Sequence, residues 1–223
     1  MLDIACGTGV LTREVASRLE RPDQVTGVDS NPGMLSVAKE RNTEIVWKLG
    51  QAEKLPVQDH HFDVVLCQFG LMFFSDRVRA IQEMGRVLAP GGRLVVTVWD
   101  ALENIPAYSK HVSTIEKYGG SEAREALNHP FELGNKNVLR ATFSEAGISD
   151  IGITTHTGTA RFPDLKSILD ADLRGWLPVL GIALGEEDIQ RIYNDSLISM
   201  GEYISANGNV SFDITAHVVT YQA

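Results

Sequence analysis

The sequence predicts an α/β fold built on a largely parallel β-sheet. Between residues 1 and 100, short apolar runs alternate with segments whose apolar residues recur at helical spacing. This is the pattern of strands that are joined by crossover helices. Near the C-terminus, the run "VSFDITAHVVTY" at 210–221 alternates apolar and polar residues, as a half-buried strand does. Because a chain of 223 residues has the size of one ordinary domain, we expect a single domain over 1–223.

The first hundred residues contain five predicted strands and three predicted helices. The strands are "LDIAC" at 2–6, "QVTGVD" at 24–29, "EIVWKLG" at 44–50, "FDVVLCQF" at 62–69 and "RLVVTVW" at 93–99. Each helix has one apolar stripe for the sheet. The three stripes are formed by Leu11, Val15, Ala16 and Leu19, by Met34, Leu35, Val37 and Ala38, and by Val78, Ile81, Met84, Val87 and Leu88. The run "APGG" at 89–92 is expected to end the third helix and turn the chain into the fifth strand.

The second half of the chain has a looser pattern. From 101 to 135 we expect an insertion of one or two helices, broken at "YGG" (118–120) and "NHP" (128–130). A helix is predicted at 136–147 and a strand at 148–162. The segment 164–208 is expected to be a second, helical insertion, whose apolar face includes Leu165, Ile168, Leu169 and Leu173.

Composition limits the classes of partner. Lys and Arg number 20 against 29 Asp and Glu, for a net charge of −9, and no stretch gathers enough basic residues to bind a run of phosphates, so nucleic acid is not an expected partner. The longest apolar stretch, "WLPVLGIALG" at 176–185, is about half of a membrane-spanning helix, so we expect a lid or contact surface there instead of a membrane span. Cys6 and Cys67 lie in apolar contexts and predict free thiols in a cytoplasmic protein.

A glycine turn follows the first predicted strand. Gly7 and Gly9 allow the backbone to approach a ligand closely, because glycine has no Cβ and tolerates positive φ, and the helix after them directs free amides at the turn. Asp29 ends the second strand, where its carboxylate can accept hydrogen bonds from both hydroxyls of a ribose. A strand, a glycine turn, a helix and an acid in this order predict a ligand that contains a nucleoside.

The turn differs from a dinucleotide site in two ways. A third glycine would stand at the position of Thr12 if a pyrophosphate were bound. Asp3 lies inside the strand, four residues before Gly7, where an acid suits a ligand that carries an ammonium group and a sulfonium. These differences disfavour a nicotinamide cofactor.

Five motifs carry a resemblance to a known family. "LDIACGTG" closely resembles the first motif of the class I S-adenosylmethionine-dependent methyltransferases, and "GVDSNPGML", "GQAEKLP", "FDVVLCQFGLMFF" and "EMGRVLAPGGRLVVTVW" resemble the following motifs in order and spacing. The resemblance covers 2–100 and is closest to the small-molecule subgroup with a type 11 domain, which includes the ubiquinone and menaquinone biosynthesis enzymes. It implies a Rossmann-like, doubly wound sheet of seven strands in the order 3-2-1-4-5-7-6, the last one antiparallel.

The resemblance also implies the cofactor and a division of the chain. The cofactor would be S-adenosyl-L-methionine and the product S-adenosyl-L-homocysteine. The segment 1–100 would bind the cofactor, and the segments 101–135 and 164–208 would form a lid or the acceptor side of the site.

The family's cofactor contacts transfer onto twelve residues. Asp3, Ala5, Gly7 and Gly9 would line the methionine moiety, Asp29 would hold the ribose, Ser30 and Met34 would flank the adenine, Gln51, Ala52 and Glu53 would lie beside the adenine, and Cys67 and Gln68 would meet the ammonium group. Where Gln51 stands, the family usually has an aspartate that accepts from the adenine amino group. Gln51 is longer and uncharged, so we expect a weaker bond there.

Methyl transfer from S-adenosyl-L-methionine requires few groups from the protein. A sulfonium is already an activated electrophile, so the protein must hold the acceptor in line with the methyl group and exclude water. No metal is expected, and the six histidines are scattered. If the acceptor needs a base, the candidates are His111, His129, His156 and Tyr108.

The acceptor is expected to be a small, hydrophobic or aromatic molecule. Acceptor sites in this fold lie beyond the fourth and fifth strands, and the sequence supplies apolar and aromatic residues for that region. They are "QFGLMFF" at 68–74, Trp99, Trp176 and "LPVLGIAL" at 177–184. Two alternatives stay open, a binding module without catalysis and a nicotinamide-dependent dehydrogenase, and a homodimer is one assembly open to the chain.

The chain opens on the glycine turn without a preceding segment. Members of the family normally place a few tens of residues before this turn, including a helix that helps to cover the site. We therefore expect that this N-terminal helix is missing because Met1 is a truncated or late start, and that restoring the segment tightens cofactor binding.

Overall fold

The computed structural model of the protein describes residues 1–19 and 22–223. It contains seven strands, β1 Leu2–Ile4, β2 Thr26–Asp29, β3 Val46–Leu49, β4 Phe62–Gln68, β5 Leu88–Trp99, β6 Gly152–Phe162 and β7 Val210–Gln222. They form one sheet in the order β3-β2-β1-β4-β5-β7-β6, as predicted. The pairs β1–β2, β1–β4, β2–β3 and β4–β5 are parallel.

Strand β7 runs antiparallel to β5, which confirms the expected reversal. The Gly91 amide, near the start of β5, donates to the carbonyl oxygen of Ala223, just after the end of β7, at 3.1 Å. The Asp100 amide, just after the end of β5, donates to the carbonyl oxygen of Thr215, earlier in β7, at 3.0 Å. The two strands therefore run in opposite directions.

The described residues also form eight α-helices. They are α1 Val10–Ala16, α2 Pro32–Arg41, α3 Arg77–Val87, α4 Pro106–Asn128, α5 Lys136–Glu145, α6 Leu165–Asp170, α7 Leu177–Val179 and α8 Glu186–Ser199, with a π-helix at Ala171–Trp176. The short 3-10 helices are Pro22–Gln24, Leu71–Phe73, Leu102–Asn104, His129–Gly134 and Gly201–Tyr203. Side chains cap several starts: Asn31 Oδ1 accepts from the Gly33 amide at 2.8 Å, and Asp76 Oδ1 accepts from the Arg79 amide at 2.8 Å. No helix in the two described ranges is long and apolar enough to cross a bilayer.

The structure corrects one boundary between helix and strand. The sequence places Leu88 on the stripe of the third helix, but α3 ends at Val87 and Leu88 begins β5. Leu88 pairs with Phe62, and the pairing resumes only at Arg93 opposite Val64. The "APGG" run thus forms a bulge inside β5, which Gly91 permits with φ +77°. The helix stops because Leu88 finds a strand partner.

The predicted breaks at 118–120 and 128–130 are both present. Helix α4 runs from Pro106 to Asn128, but Gly120 has φ +73° and ψ −173°, so two helical segments meet at a kink there. The helix ends at Asn128, and a 3-10 helix follows over His129–Gly134.

The chain divides into two compact units. Unit 1 comprises Met1–Trp99, Asn135–Thr155 and His217–Ala223, and unit 2 comprises Asp100–Gly134 and His156–Ala216. Unit 1 buries apolar side chains of the parallel strands and of α3, such as Leu2, Val65 and Met84. Unit 2 has its own core, formed by side chains from α4, α6, the π-helix, α8 and β7. The expectation of one domain stays a prediction.

Candidate functional site

The turn after β1 has an unusual backbone that its sequence explains. Gly7 and Gly9 have φ of +56° and +76°, and the Gly9 amide closes the turn on the Cys6 carbonyl oxygen at 2.9 Å. A Cβ at Gly9 would lie 2.3 Å from Cη2 of Trp47, so glycine is required for conformation and for space. Ala5 also has a positive φ, +56°, which is strained for a residue with a side chain. This segment, residues 5–9, is called the glycine loop below.

Asp29 ties the glycine loop to the end of β2. Its Oδ2 accepts a hydrogen bond from the Gly7 amide at 2.8 Å, and its Oδ1 accepts from the Asn31 amide at 2.8 Å. The carboxylate is only partly buried, and each of its oxygens has a further lone pair. Asp29 can therefore hold the loop and still accept hydrogen bonds from a ligand.

A cleft with about 560 Å³ of atom-free space opens at the carboxyl ends of β1, β2 and β3. Twelve residues line it: Ile4, Ala5, Val28, Asp29, Ser30, Gly50, Gln51, Ala52, Glu53, Phe73, Phe74 and Ser75. All of them belong to unit 1. Ligands of open α/β sheets bind at this end of the strands, so the cleft is the candidate cofactor site.

Half of the predicted cofactor residues line the cleft. They are Ala5, Asp29, Ser30, Gln51, Ala52 and Glu53. One wall is formed by Phe73, Phe74 and Ser75, which were not among the predicted cofactor residues; the two phenylalanines were predicted on the acceptor side. Their position next to the predicted fourth strand was the available signal, because that strand ends at the same edge of the sheet.

Glu53 connects the two walls of the cleft. Its Oε1 accepts hydrogen bonds from the Ser75 amide at 3.1 Å, the Ser75 hydroxyl at 2.9 Å and the Asp76 amide at 3.3 Å. Burial alone would raise the pKa of Glu53, but hydrogen bonds from its own backbone amide, Ser75 and Asp76 hold that pKa below its usual value. The side chain thus fastens the 50–53 loop to the start of α3.

Asp3 is buried instead of lining the cleft. Its side chain is 1% exposed, and Oδ2 accepts a hydrogen bond from the Thr12 hydroxyl at 2.5 Å. Burial raises the pKa of Asp3 to about 7. The hydrogen bond from Thr12 opposes this increase, and the negative charge of Asp29 adds to it. Burial therefore favours the protonated form of this carboxyl.

Five other predicted cofactor residues lie outside the cleft lining. They are Gly7, Gly9, Met34, Cys67 and Gln68. Met34 is exposed on α2, and Gln68 is exposed at the end of β4. Cys67 is buried, and burial, followed by the charge of Asp3, raises the pKa of its thiol to about 12. Cys6 and Cys67 are both free thiols.

The four candidate bases all belong to unit 2, whereas the cleft belongs to unit 1. His111 is fully buried, with Nε2 2.8 Å from Asp172 Oδ2, and the Tyr108 hydroxyl donates to the same oxygen at 2.8 Å. Burial, followed by the charge of Asp172, raises the pKa of Tyr108 well above its usual value. His129 Nδ1 lies 3.2 Å from Glu132 Oε1, and His156 is exposed on β6.

The histidines and acids do not gather around a point that could hold a metal. Among residues 1–19 and 22–223, no group of three or more His, Cys, Asp or Glu side chains has that arrangement.

The chain resembles methyltransferases along much of its length. A family model described as "Methyltransferase domain" matches residues 2–96. Demethylmenaquinone methyltransferase of Staphylococcus aureus (strain JH9) is 32% identical over 173 residues, which are 70% of this chain and 70% of that protein.

Solved structures of other proteins share the fold. The YcgJ protein of Bacillus subtilis has a TM-score of 0.62 at 20% identity, with 99% of this chain and 90% of that chain covered. Phosphoethanolamine N-methyltransferase 2 of Haemonchus contortus, in complex with S-adenosyl-L-methionine, has a TM-score of 0.56 at 21% identity, with 99% and 47% covered. Neither a nicotinamide-dependent dehydrogenase nor a binding module without catalysis agrees with these relatives. With the glycine loop, the strand order and a relative of this identity in agreement, the chain belongs to the class I S-adenosylmethionine-dependent methyltransferases, and it is an enzyme that uses S-adenosyl-L-methionine as methyl donor.

Proposed function

We propose that the enzyme methylates a small, flat, apolar aromatic acceptor by in-line displacement. The observation that carries the proposal is a group of aromatic side chains near the carboxyl ends of β4 and β5. Phe69 and Trp99 follow and end these strands, and Phe73 and Phe74 line the cleft. Phe73 remains 47% exposed, although its ring is large and apolar. An apolar acceptor would take this surface out of water.

The cleft fits the cofactor by its donors and acceptors. Asp29 has the remaining acceptor capacity for the ribose hydroxyls, and Gln51 and the Ala52 amide are in the wall where the adenine is proposed to lie. Bound S-adenosyl-L-methionine supplies a methyl group on a positively charged sulfur. The chain's own part is to orient both substrates and to keep water away from the reacting atoms.

The charge of the cofactor cleft disfavours a phosphorylated acceptor bound beside it. None of its twelve lining residues is a lysine or an arginine, and the two charged ones, Asp29 and Glu53, are acids. A phosphate group is held in proteins mainly by cationic side chains and by backbone amides. We therefore favour a neutral acceptor over one that carries a phosphate.

The S. aureus relative suggests a specific class of acceptor. Its name refers to demethylmenaquinone, a quinone. The methyl donor is an electrophile, so the acceptor must be electron-rich, and a quinone becomes so when it is reduced to the hydroquinone. In the proposed reaction the sulfur–methyl bond breaks, a bond from the acceptor to the methyl group forms, and the acceptor's proton leaves to water. S-adenosyl-L-homocysteine is the second product.

The test is a reaction of the purified enzyme with S-adenosyl-L-methionine and reduced demethylmenaquinone without oxygen. We expect the methylated hydroquinone and S-adenosyl-L-homocysteine in equal amounts by mass spectrometry. The matched control is Asp29→Asn, which removes the negative charge at the proposed ribose site and should lower turnover at low cofactor concentration. Formation of product from phosphoethanolamine but not from the reduced quinone would contradict the proposal.

A further inference from the structure

We propose that Phe69 and Trp99 form a stacking platform that binds the ring system of the acceptor and selects two fused rings over one. The inference rests on the proposed function and goes further by assigning the residues that distinguish acceptors by the size of their ring system. The two rings are parallel, with centroids 3.8 Å apart and an interplanar angle of 15°. Both residues belong to unit 1, at the carboxyl ends of the neighbouring parallel strands β4 and β5.

The backbone of Phe69 is strained at the position of this stack. Its φ is +54°, in the left-handed region, which a bulky aromatic residue rarely adopts. Strain of this kind persists only where the surroundings fix it, and it concentrates at functional sites. Here the Phe69 amide donates to the Thr97 carbonyl oxygen at 2.9 Å, which joins the end of β4 to β5.

Gly70 holds the same segment against the glycine loop. A Cβ at Gly70 would lie 2.6 Å from the Ala5 Cβ and 3.0 Å from the Cys67 Sγ, so only glycine allows this approach. Ala5 itself has a positive φ and lines the cofactor cleft. The strained turn at Phe69 therefore connects the stack directly to the proposed methyl-donor site.

If Phe69 and Trp99 only filled the core, they would not need a strained backbone and partly exposed rings. The apolar contact between the two strands is already made by buried residues, such as Val65 and Cys67 on β4 and Leu94 and Val96 on β5. Phe69 and Trp99 are both only partly buried, so one face of the stack can still meet a ligand. Flat, partly exposed rings suit a neutral aromatic ligand, which can extend the stack by a third layer.

The experiment measures ring binding separately from cofactor binding. The probes are 1,4-dihydroxynaphthalene, with two rings, and hydroquinone, with one, titrated calorimetrically into the enzyme loaded with S-adenosyl-L-homocysteine, without oxygen. We expect Phe69→Leu and Trp99→Leu to raise the Kd of the two-ring probe about five- to tenfold, and that of hydroquinone less. Trp99→Phe keeps a stacked ring, so its Kd for the two-ring probe should stay within about twofold of the wild-type value.

The Kd of S-adenosyl-L-homocysteine is the control for folding, and it should change less than about twofold in every variant. If the wild type binds and methylates the two-ring probe but Phe69→Leu binds it equally well, the platform is wrong and the proposed function stands. If cofactor affinity falls together with probe affinity, the stack is only structural and the platform is again wrong. If the wild type binds neither probe, both proposals fail.

Discussion

Two aspartates on the adjacent strands β1 and β2 differ in burial and in hydrogen-bond partners. Asp29 ends β2, is partly exposed and accepts two backbone amides. Asp3 lies in β1, is 1% exposed and has the Thr12 hydroxyl as its side-chain partner. The groups that influence the carboxyl of Asp3, or are influenced by it, are Asp29 and the thiols of Cys6 and Cys67. None of them is a cation, so the protonated form of Asp3 is favoured.

Asp3 should make the free protein less stable as the pH rises. Burial raises the pKa of Asp3 from an ordinary 3.8 to about 7, so the folded state binds more protons than the unfolded state between these values. Stability is therefore lost as the pH increases through this window, by about 4 kcal/mol at most, since one pH unit is worth about 1.4 kcal/mol. Urea unfolding at pH 5 and pH 7.5 measures the effect.

The matched variant is Asp3→Asn, which keeps an acceptor for Thr12 but cannot ionise. We expect the stability of Asp3→Asn relative to wild type to increase between pH 5 and pH 7.5. A pH-independent difference between the two proteins would contradict the assignment.

Gly7 and Gly9 should differ in their tolerance of a methyl group. Both have positive φ, but a Cβ at Gly7 meets nothing within 4 Å, whereas one at Gly9 would lie 2.3 Å from the Trp47 ring. We expect Gly7→Ala to cost about 1 kcal/mol of folding free energy and Gly9→Ala about 2–4 kcal/mol, because overpacking adds to the backbone strain. Chemical unfolding of the two variants measures this order, and equal losses would contradict it.

At the scale of elements, the cleft depends on a link between two loops. One wall is the 50–53 loop after β3, and the other is the segment 73–75 before α3. Glu53 joins them through Ser75 and Asp76, and its backbone carbonyl oxygen accepts from Arg79 Nε at 3.3 Å. These hydrogen bonds tie the two walls of the cleft to each other.

Glu53→Ala should therefore weaken cofactor binding. We expect no direct effect on methyl transfer, because Glu53 acts by holding the walls of the cleft. We expect a Kd for S-adenosyl-L-methionine about 5- to 50-fold higher, since hydrogen bonds to a charged group contribute about 1.5–3 kcal/mol and solvent exposure reduces that value. Glu53→Gln, which keeps Oε1 as an acceptor, should recover part of the affinity. Calorimetric titration checks both variants.

Glu44→Ala is the matched control, because Glu44 is an exposed glutamate near the same strand whose side chain makes no hydrogen bond with the described residues. An effect of Glu44→Ala as large as that of Glu53→Ala would contradict a specific role for Glu53.

In unit 2, the π-helix places an acid in a buried cluster. Asp172 Oδ2 lies 2.8 Å from both the Tyr108 hydroxyl and His111 Nε2, and His111 Nδ1 has no hydrogen-bond partner in the described chain. We expect Asp172→Ala to lower the free energy of unfolding by about 2–4 kcal/mol and Tyr108→Phe to lower it by about 1 kcal/mol. Asp172→Ala costs more because it leaves two buried donors, the Tyr108 hydroxyl and His111 Nε2, without an acceptor. Thermal unfolding measures the order, and the reverse order would contradict this geometry.

At the scale of the whole molecule, the two units have separate cores and the cleft lies entirely in unit 1. Strands β6 and β7 each contribute residues to both units. A ligand of the cleft should therefore stabilise mainly the segments of unit 1 that line it.

Hydrogen exchange with and without S-adenosyl-L-homocysteine tests this locality. We expect slower exchange in the glycine loop and in the 50–53 loop, and little change in the buried part of α4 at 112–116. At a ligand concentration of 100 Kd, the free energy of unfolding should rise by about 2.7 kcal/mol. Equal protection of α4 and the glycine loop would contradict a cleft confined to unit 1.

Much of the fold was predictable from local pattern. The strands, the helices between them, and the breaks at Gly120 and Asn128 follow from apolar spacing and from the residues that end helices. The strand order came from the family resemblance, and the structure agrees with it. The end of α3 was wrong by one residue, because the pairing of Leu88 with Phe62 is a contact between distant parts of the chain.

The site was predictable only in part. Asp29, Gln51 and Glu53 line the cleft, and the cofactor roles that the family resemblance implies for them stay predictions. Spacing does not reveal that Asp3 lies under Thr12, that Glu53 is bound to Ser75, or that Trp47 requires glycine at position 9. Each of these is a contact between segments that the sequence separates.

The sequence by itself determined the class of fold, the position of the glycine loop and the acid that follows it. These depend on period, on backbone freedom and on the end of a strand, which are properties of neighbouring residues. Only the tertiary structure decided which carboxyl is buried, which backbone is strained and which rings meet. Asp3, Phe69 and Trp99 acquire their properties from burial and packing, and those arise where strands far apart in the chain lie side by side.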